Sequence, residues 1–323
     1  MHNPANDGID AVRPAIAFTP SPLLRSGHAQ TVLASLGRGA DVDRRAADLL
    51  RRAVTTRLQT GAGVTLEAAV TGPRQGAPTI VIIHGWLGHN QATYVRSAGA
   101  LLLEHGFRVA RLNLRDHGGT EHLNEGLFHS ARTEEVVDAV AMLVGDRGGV
   151  LGFSLGGNFA LRVARALGVP ALAVCPAIDP AASMSAIDAG FTGYRWYFLR
   201  KWRRALDAKA RAFPDRYQFE AAMRMGSVSA LTELFVDAHT DYPDVDSYLA
   251  AYTLTGSALA GTCATVVAAD DDPIIPSAGF ADLPETIDVV RVPFGGHCGF
   301  IERLRGPSWI DRYAAEWFEH ALR

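Results

Sequence analysis

The chain has 323 residues, of which 48% are hydrophobic and 20% are charged, and its formal net charge at pH 7 is −3. This length and hydrophobic content are sufficient for a large buried core, either in one α/β domain with an insertion or in two small domains. The slightly negative charge argues against a general nucleic-acid-binding protein.

Three cysteines, Cys175, Cys263 and Cys298, lie far apart in the chain, each in or beside an apolar stretch. An odd number of separated cysteines indicates buried thiols in a reducing cytoplasm, and neither a disulfide framework nor a metal cluster is expected. Residues 1–20 contain no continuous apolar stretch, and no run of residues has the length of a membrane span. We therefore expect a cytoplasmic protein.

Along the chain, residues 1–52 are proline-rich and then basic and mostly helical, and we expect this N-terminal extension to pack on the core. The segments that follow alternate between strand and helix patterns. The predicted strands are 51–59 and 64–70, which form an antiparallel hairpin, then 79–83, 107–112, the apolar run from Gly149, 171–175, 262–269 and 288–292. The predicted helices are 94–104, 130–144, 159–167 and 301–322.

This alternation predicts an α/β fold with a mostly parallel central sheet, flanking helices and right-handed crossovers. Residues 178–261 contain no convincing strand, only helical pieces rich in aromatic residues. An all-helical insertion between two parallel strands, on the side of the active-site loops, is typical of a cap. We therefore predict an α/β core formed by residues 53–177 and 262–323, with a helical cap at 178–261.

A Gly-x-Ser-x-Gly motif at residues 152–156 lies between a predicted strand and a predicted helix, which is the context in which the motif positions a nucleophile. Such a turn forces Ser154 into strained backbone angles, and its two glycines prevent a collision with the neighbouring strand or helix. The first amides of the helix carry partial positive charge and suit an oxyanion. The alternative interpretation is a strand-to-helix turn with an incidental serine.

A serine hydroxyl needs a base at neutral pH, and the base needs an orienting acid. In a parallel-sheet enzyme these groups come from loops at the carboxyl ends of strands. Three aspartates at 270–272 follow one predicted strand, and a Gly-Gly-His sequence ending at His297 follows the next. With Ser154 earlier in the chain, the order Ser, Asp, His is the one expected for this architecture.

Together these motifs make the sequence resemble the α/β-hydrolase superfamily, and within it the YheT-like branch of carboxylesterases and lipases. The resemblance covers nearly the whole chain. Besides the serine turn, the matching motifs are GHAQT at 27–31, HGWLG at 84–88, YVR at 94–96, RLNLR at 111–115, GLFHS at 126–130, DDP at 271–273 and GGH at 295–297.

The resemblance implies that Asp272, the first residue of an Asp-x-Ile-x-Pro motif, is the orienting acid, with Asp271 as the alternative. It also implies an oxyanion hole formed by the backbone amides of Trp86 and Leu155, with His84 holding that loop. No cofactor is implied. No metal is expected either, because no helical His-x-x-x-His pair and no cysteine cluster supports one.

Three features leave alternatives open. Asp116 stands where related hydrolases have glycine, which leaves the backbone shape of its loop undecided. Asp179 follows a predicted strand and is either a second candidate acid or, in the interpretation we favour, part of a hinge into the cap. Residues 191–204 mix aromatic and basic side chains, which indicates a cap helix with an apolar underside or, alternatively, weak contact with a membrane surface.

The function expected from these observations is that of a serine esterase, a carboxylic ester hydrolase that works through an acyl-enzyme on Ser154, His297 and Asp272. Its partner would be a small-molecule ester with an apolar acyl or alkyl group. The resemblance implies short- to medium-chain esters or glycerolipids. The alternatives are an acyltransferase that passes the acyl group to an alcohol and a non-catalytic hydrolase homologue that binds a small molecule.

Overall fold

The computed structural model describes residues 14–61, 63–73 and 76–323. An eight-stranded sheet forms its centre. The strands are β1 (Val54–Gln59), β2 (Thr65–Thr71), β3 (Thr79–Ile83), β4 (Arg108–Asn113), β5 (Gly148–Phe153), β6 (Ala171–Val174), β7 (Ala264–Ala269) and β8 (Ile287–Val292). All eight match predicted strands to within three residues at either end.

The strand order in the sheet is β1-β2-β4-β3-β5-β6-β7-β8. The pairs β1–β2 and β2–β4 are antiparallel, and every other neighbouring pair is parallel. The strands β3, β5, β6 and β7 are buried along their whole length, as strands covered by helices on both faces require. The mostly parallel sheet expected from the sequence is confirmed.

Helices cover both faces of this sheet. The helices are α1 (Gly27–Val32), α2 (Gly39–Arg45), α3 (Ala47–Arg51), α4 (Thr93–Glu104), α5 (Glu134–Val144), α6 (Leu155–Leu167), α7 (Pro180–Ala189), α8 (Thr192–Ala212), α9 (Val228–His239), α10 (Val245–Ala250) and α11 (Trp309–Ala321). One hydrophobic cluster joins α2–α4 and α11 to one face of the sheet. A second joins α5–α10 to the other face.

Three helices begin four or more residues away from the start that the sequence pattern predicted. Helix α5 begins at Glu134 because the preceding backbone is used elsewhere, with the Ser130 amide donating to the Tyr248 hydroxyl. Helix α6 begins directly after Ser154. Helix α11 begins only at Trp309, because Ser308 and Asp311 form a capping box at its start.

Residues 178–261, which we call the helical insertion, connect β6 to β7 through α7–α10 and contain no strand. A buried ion pair fixes the insertion to the rest of the chain. The Lys209 ammonium on α8 donates to Asp116 Oδ1 at 2.8 Å, and the side chain of Lys209 is 1% exposed. Asp116 has a φ of 58°, so the loop keeps the left-handed conformation that a glycine would favour. This resolves the backbone shape that the sequence left undecided.

No helix among the described residues combines the length and the apolar composition needed to cross a membrane.

We expect the Lys209→Met variant to lower the free energy of unfolding by about 3–5 kcal/mol, because it leaves the buried Asp116 carboxylate without its counter-charge. Urea denaturation measures the loss. Arg211→Met on the same helix is the matched control, since Arg211 is 69% exposed and pairs with the exposed Asp207, and it should change stability by about 0.5 kcal/mol or less. Similar losses in the two variants would contradict a structural role for the buried pair.

Candidate active site

Ser154 lies in a sharp turn between the end of β5 and the start of α6. Its backbone angles are φ 56° and ψ −120°, a strained conformation for a residue with a side chain. The glycines on either side allow this turn. A Cβ atom on Gly152 would lie 2.1 Å from the Gly156 carbonyl oxygen, and one on Gly156 would lie 2.2 Å from that of Ile83. The turn therefore has the strained shape, with close backbone contacts, that the sequence motif predicted.

Two hydrogen bonds connect Ser154 to an imidazole and a carboxylate. The Ser154 Oγ atom lies 2.9 Å from Nε2 of His297, and Nδ1 of His297 lies 2.8 Å from Oδ2 of Asp272. The other oxygen of Asp272 accepts hydrogen bonds from the amides of Ile274 and Ile275 at 2.8 and 2.9 Å. The structure thus brings together the three side chains that the sequence selected.

The three neighbouring aspartates have different partners. Asp270 pairs with Arg291, Asp271 accepts a hydrogen bond from the Gly296 amide at 2.8 Å, and Asp272 faces His297. Asp179, the other candidate acid, accepts a hydrogen bond from the Ala182 amide and caps the first turn of α7. Among these four acids, only Asp272 bonds to the imidazole.

The charge state of His297 depends on two opposing effects. Burial alone lowers the pKa of the imidazole, but the charge of Asp272 and the hydrogen bond to that carboxylate outweigh burial and raise the pKa to about 9. The carboxylate therefore stabilises the imidazolium form, which is the form that a base reaches when it accepts a proton.

The two amides expected to bind an oxyanion belong to Trp86 and Leu155, which line the same pocket as Ser154. Leu155 is the first residue of α6, so its amide has no carbonyl partner within the helix. Trp86 follows β3 in a loop held by buried histidines. His84 Nε2 accepts from the Leu114 amide at 3.2 Å, and His117 Nε2 accepts from the Leu87 amide at 3.1 Å.

Both loop histidines stay neutral. Burial lowers the pKa of His117 to about 4 and moves that of His84 well below its usual range. A buried neutral imidazole with both nitrogens near backbone groups holds a loop in shape and is not available as a base. His84 therefore has the position and the contacts of a structural residue.

The described residues contain one group of three possible metal ligands, Cys175, His297 and Cys298, with ligand atoms within 4.8 Å of one another. Both ring nitrogens of His297 already hydrogen-bond to Asp272 and Ser154, so the imidazole has no nitrogen left for a metal. The donor set therefore does not fit a metal site. All three cysteines of the chain are free thiols.

The N-terminal helix α1 supports the histidine loop, a role that the sequence analysis missed although its GHAQT motif belongs to the resemblance. Thr31 Oγ1 accepts a hydrogen bond from the His297 amide at 2.8 Å. The buried side chain of Gln30 donates to the Ile301 carbonyl and accepts from the Ile301 amide, at 2.8 and 2.7 Å. His28 Nδ1 lies 2.8 Å from the Tyr194 hydroxyl of the helical insertion.

A pocket of about 830 Å³, including its open mouth, adjoins Ser154. The core supplies one side of it, and helices α7–α10 of the insertion supply the other. Phe198 and Trp202 of α8 enclose it against Trp86, whose ring stacks on Phe198 at 5.6 Å and meets Trp202 edge-on at 5.0 Å. Trp196 on the same helix is 60% exposed. The aromatic side of α8 thus faces the pocket, as the favoured interpretation of residues 191–204 predicted.

Comparison with known proteins places this geometry in context. Residues 80–314 match the model of the Alpha/beta hydrolase family. An abhydrolase domain-containing protein from Dictyostelium discoideum is 25% identical over 279 residues, which cover 77% of this chain and 68% of that protein.

Solved structures of two esterases resemble the fold. An esterase from Pyrobaculum calidifontis superposes with a TM-score of 0.57 at 18% identity, over 94% of this chain and 100% of the other. An esterase from Pyrococcus furiosus superposes with a TM-score of 0.55 at 14% identity, over 87% of this chain and 96% of the other. At such low identity the likeness concerns the fold alone.

In the Asp272→Asn variant we expect the pKa of His297 to fall below its wild-type value of about 9, because the imidazolium loses the carboxylate charge that stabilises it. Titration of the ring protons by NMR measures the pKa. The matched control is Asp271→Asn, which removes a neighbouring carboxylate charge, keeps an amide oxygen that can accept from the Gly296 amide, and should leave the pKa of the ring near its wild-type value. Equal shifts in the two variants would contradict the distinct position of Asp272.

Proposed function

The chain belongs to the alpha/beta hydrolase family, and from this premise we propose that it is a serine hydrolase that cleaves carboxylic esters. The observation that supports the proposal most directly is the hydrogen-bonded line from Ser154 through His297 to Asp272, at 2.9 and 2.8 Å, beside a pocket that contains Ser154. The family by itself does not specify the reaction, whereas this line of three groups has the geometry of nucleophile, base and orienting acid.

In the proposed reaction, Ser154 Oγ attacks the ester carbonyl while Nε2 of His297, in its neutral form, accepts the hydroxyl proton; with a pKa of about 9, that form becomes more populated as the pH rises. Asp272 holds the imidazole so that Nε2 faces the serine, and its charge stabilises the imidazolium that forms. The amides of Leu155 and Trp86 donate to the oxyanion of the tetrahedral intermediate. These are fixed dipoles, and so they need no rearrangement when the negative charge develops.

The intermediate collapses when His297 gives its proton to the leaving alcohol, which leaves the acyl group on Ser154. A water molecule then takes the place of the alcohol, and the imidazole accepts a proton from it as it attacks the acyl carbonyl. The acid leaves and Ser154 regains its proton. The proposed steps use only the side chains and backbone amides of the chain and a water molecule.

The pocket indicates the class of substrate. The described residues that line it include none with a formally charged side chain, and they are rich in aromatic and aliphatic groups. A charged group buried there would have no counter-charge, so the pocket favours an uncharged ester with an apolar acyl or alkyl part. A short- to medium-chain ester or a glycerolipid fits this description.

We also propose membership of the YheT-like branch, supported by the contacts of the GHAQT motif with the histidine loop. Residues 178–261 would act as a cap on the core at 53–177 and 262–323, and residues 14–52 would pack on that core; the first 13 residues of the predicted extension at 1–52 lie outside the described residues. A cytoplasmic location is supported by the three free thiols, which suit a reducing compartment. Weak membrane contact through residues 191–204 remains a proposal.

We expect Ser154→Ala to lower hydrolysis of p-nitrophenyl butyrate by a factor of roughly 10⁶ while the thermal unfolding transition is retained, because the nucleophile is lost. Ser257→Ala, at an exposed serine that belongs neither to the triad nor to the pocket lining, is the control and should hydrolyse the ester at the wild-type rate. A variant with full activity at position 154 would exclude the mechanism.

A fluorophosphonate probe gives an independent test and should label wild-type Ser154. Absence of labelling, together with thermal stabilisation by a bound ester, would instead indicate a non-catalytic binding protein. Product analysis with added ethanol separates hydrolysis from acyl transfer, since an acyltransferase would form ethyl ester in excess of acid.

The hydrogen bond from the His297 amide to Thr31 predicts that α1 contributes to turnover. We expect Thr31→Val to lower kcat roughly fivefold, which corresponds to about 1 kcal/mol, because the histidine loop loses an acceptor. Thr31→Ser keeps the hydroxyl and should retain wild-type kcat. If both substitutions reduced kcat equally, loss of the hydrogen bond would not explain the effect, because Thr31→Ser retains the hydroxyl group that accepts it.

A further inference from the structure

The pocket beside Ser154 is apolar over most of its wall, but His129 is part of that wall. The hydroxyls of Ser183 and Thr232, which also line the pocket, donate at 2.7 and 2.8 Å to the carbonyls of Asp179 and Val228, four residues earlier in the chain. Their donor capacity is therefore used within the insertion. The imidazole of His129 differs from them in this respect.

Nδ1 of His129 is buried and has no hydrogen-bond partner among the described residues. The ring is held by packing, since Tyr242 and Tyr248 meet it edge-on at centroid distances of 6.0 Å each. The Tyr248 hydroxyl in turn accepts a hydrogen bond from the Ser130 amide at 3.1 Å. Buried polar atoms are nearly always paired in folded proteins, so an unpaired nitrogen on a ring that lines the pocket suggests a binding partner for that ring.

The chemistry of the ring specifies that partner. Burial lowers the pKa of His129 to about 3, so the imidazole is neutral at pH 7. A neutral imidazole offers one N–H donor and one nitrogen acceptor. A hydroxyl group can complement either nitrogen, because it both donates and accepts. A carboxylate or an ammonium group would instead bring a charge into a wall without formally charged side chains.

We propose that His129 forms a polar subsite of the pocket, which binds a hydroxyl group carried by the acyl or alkyl part of an uncharged ester. The subsite would make the enzyme prefer a hydroxylated ester to its plain hydrocarbon parent. This inference rests on the proposed ester hydrolysis at Ser154 and specifies the substrate class for it.

The test compares matched pairs of esters by acid release in a pH-stat. On the acyl side, methyl 3-hydroxyhexanoate and methyl 6-hydroxyhexanoate are compared with methyl hexanoate. On the alkyl side, 4-hydroxybutyl hexanoate is compared with butyl hexanoate. We expect at least one hydroxylated ester to exceed its parent in kcat/KM by about 5- to 10-fold, the usual contribution of one hydrogen bond.

Two variants assign this preference to the imidazole. His129→Phe keeps a ring of similar size without nitrogen. It should reduce the ratio of kcat/KM for the hydroxylated ester to kcat/KM for its parent to about one, whatever its effect on kcat/KM for the parent ester. His129→Asn retains a donor and an acceptor and should keep part of the preference. If His129 had a merely structural role, His129→Phe would lower kcat/KM equally for both esters of a pair and would leave the ratio of the two values unchanged.

The proposal is overturned if no hydroxylated ester exceeds its parent with the wild-type enzyme, or if His129→Phe leaves the ratio unchanged. The wild-type panel is decisive where a variant does not fold. Fluorophosphonate labelling of Ser154 separates the two proposals. Labelling without a hydroxyl preference removes only the subsite, whereas absence of labelling removes ester hydrolysis and the subsite with it.

Discussion

Two hydrogen bonds, from Ser154 to His297 and from His297 to Asp272, impose the constraint on which the rest of the site depends. They join three loops that are far apart in the chain, and small shifts of any loop would break the line. The backbone around them is strained, with φ values of 56° at Ser154, 62° at Cys298 and 45° at Phe300. Such angles persist only where surrounding contacts determine them, so the site requires a rigid scaffold.

Part of that scaffold lies outside the region that matches the family, which begins at residue 80. Helix α1 touches both loops that carry the acid and the imidazole. The Gly27 backbone packs closely against Asp271, and a Cβ atom on Gly27 would lie 2.0 Å from the Asp271 carbonyl oxygen. Thr31 accepts a hydrogen bond from the His297 amide. The helical insertion is anchored separately by Lys209 and Asp116. The buried ion pair thus positions one side of the pocket, whose lining itself contains no charged side chain.

Much of this arrangement was predictable from local patterns. The apolar runs indicated the strands because a strand buried on both faces needs apolar residues throughout, as in β3. The motif around Ser154 indicated its turn, since glycines are required where backbones approach so closely. The order of Ser154, the aspartates and His297 indicated the three loops. The choice of Asp272 came from the resemblance, and its hydrogen bond to the imidazole agrees with it.

By itself, the sequence determined the fold class, the strands and the turn at Ser154, because each follows from patterns of neighbouring residues. Only the tertiary structure decided which distant groups pair. The contact of Lys209 with Asp116 spans 93 positions, and that of Thr31 with His297 spans 266. The same holds for the His129 nitrogen that has no hydrogen-bond partner in the described part of the chain, since a missing partner is found only from the packed structure. Such contacts follow from the packing of helices on the sheet, which local periodicity does not encode.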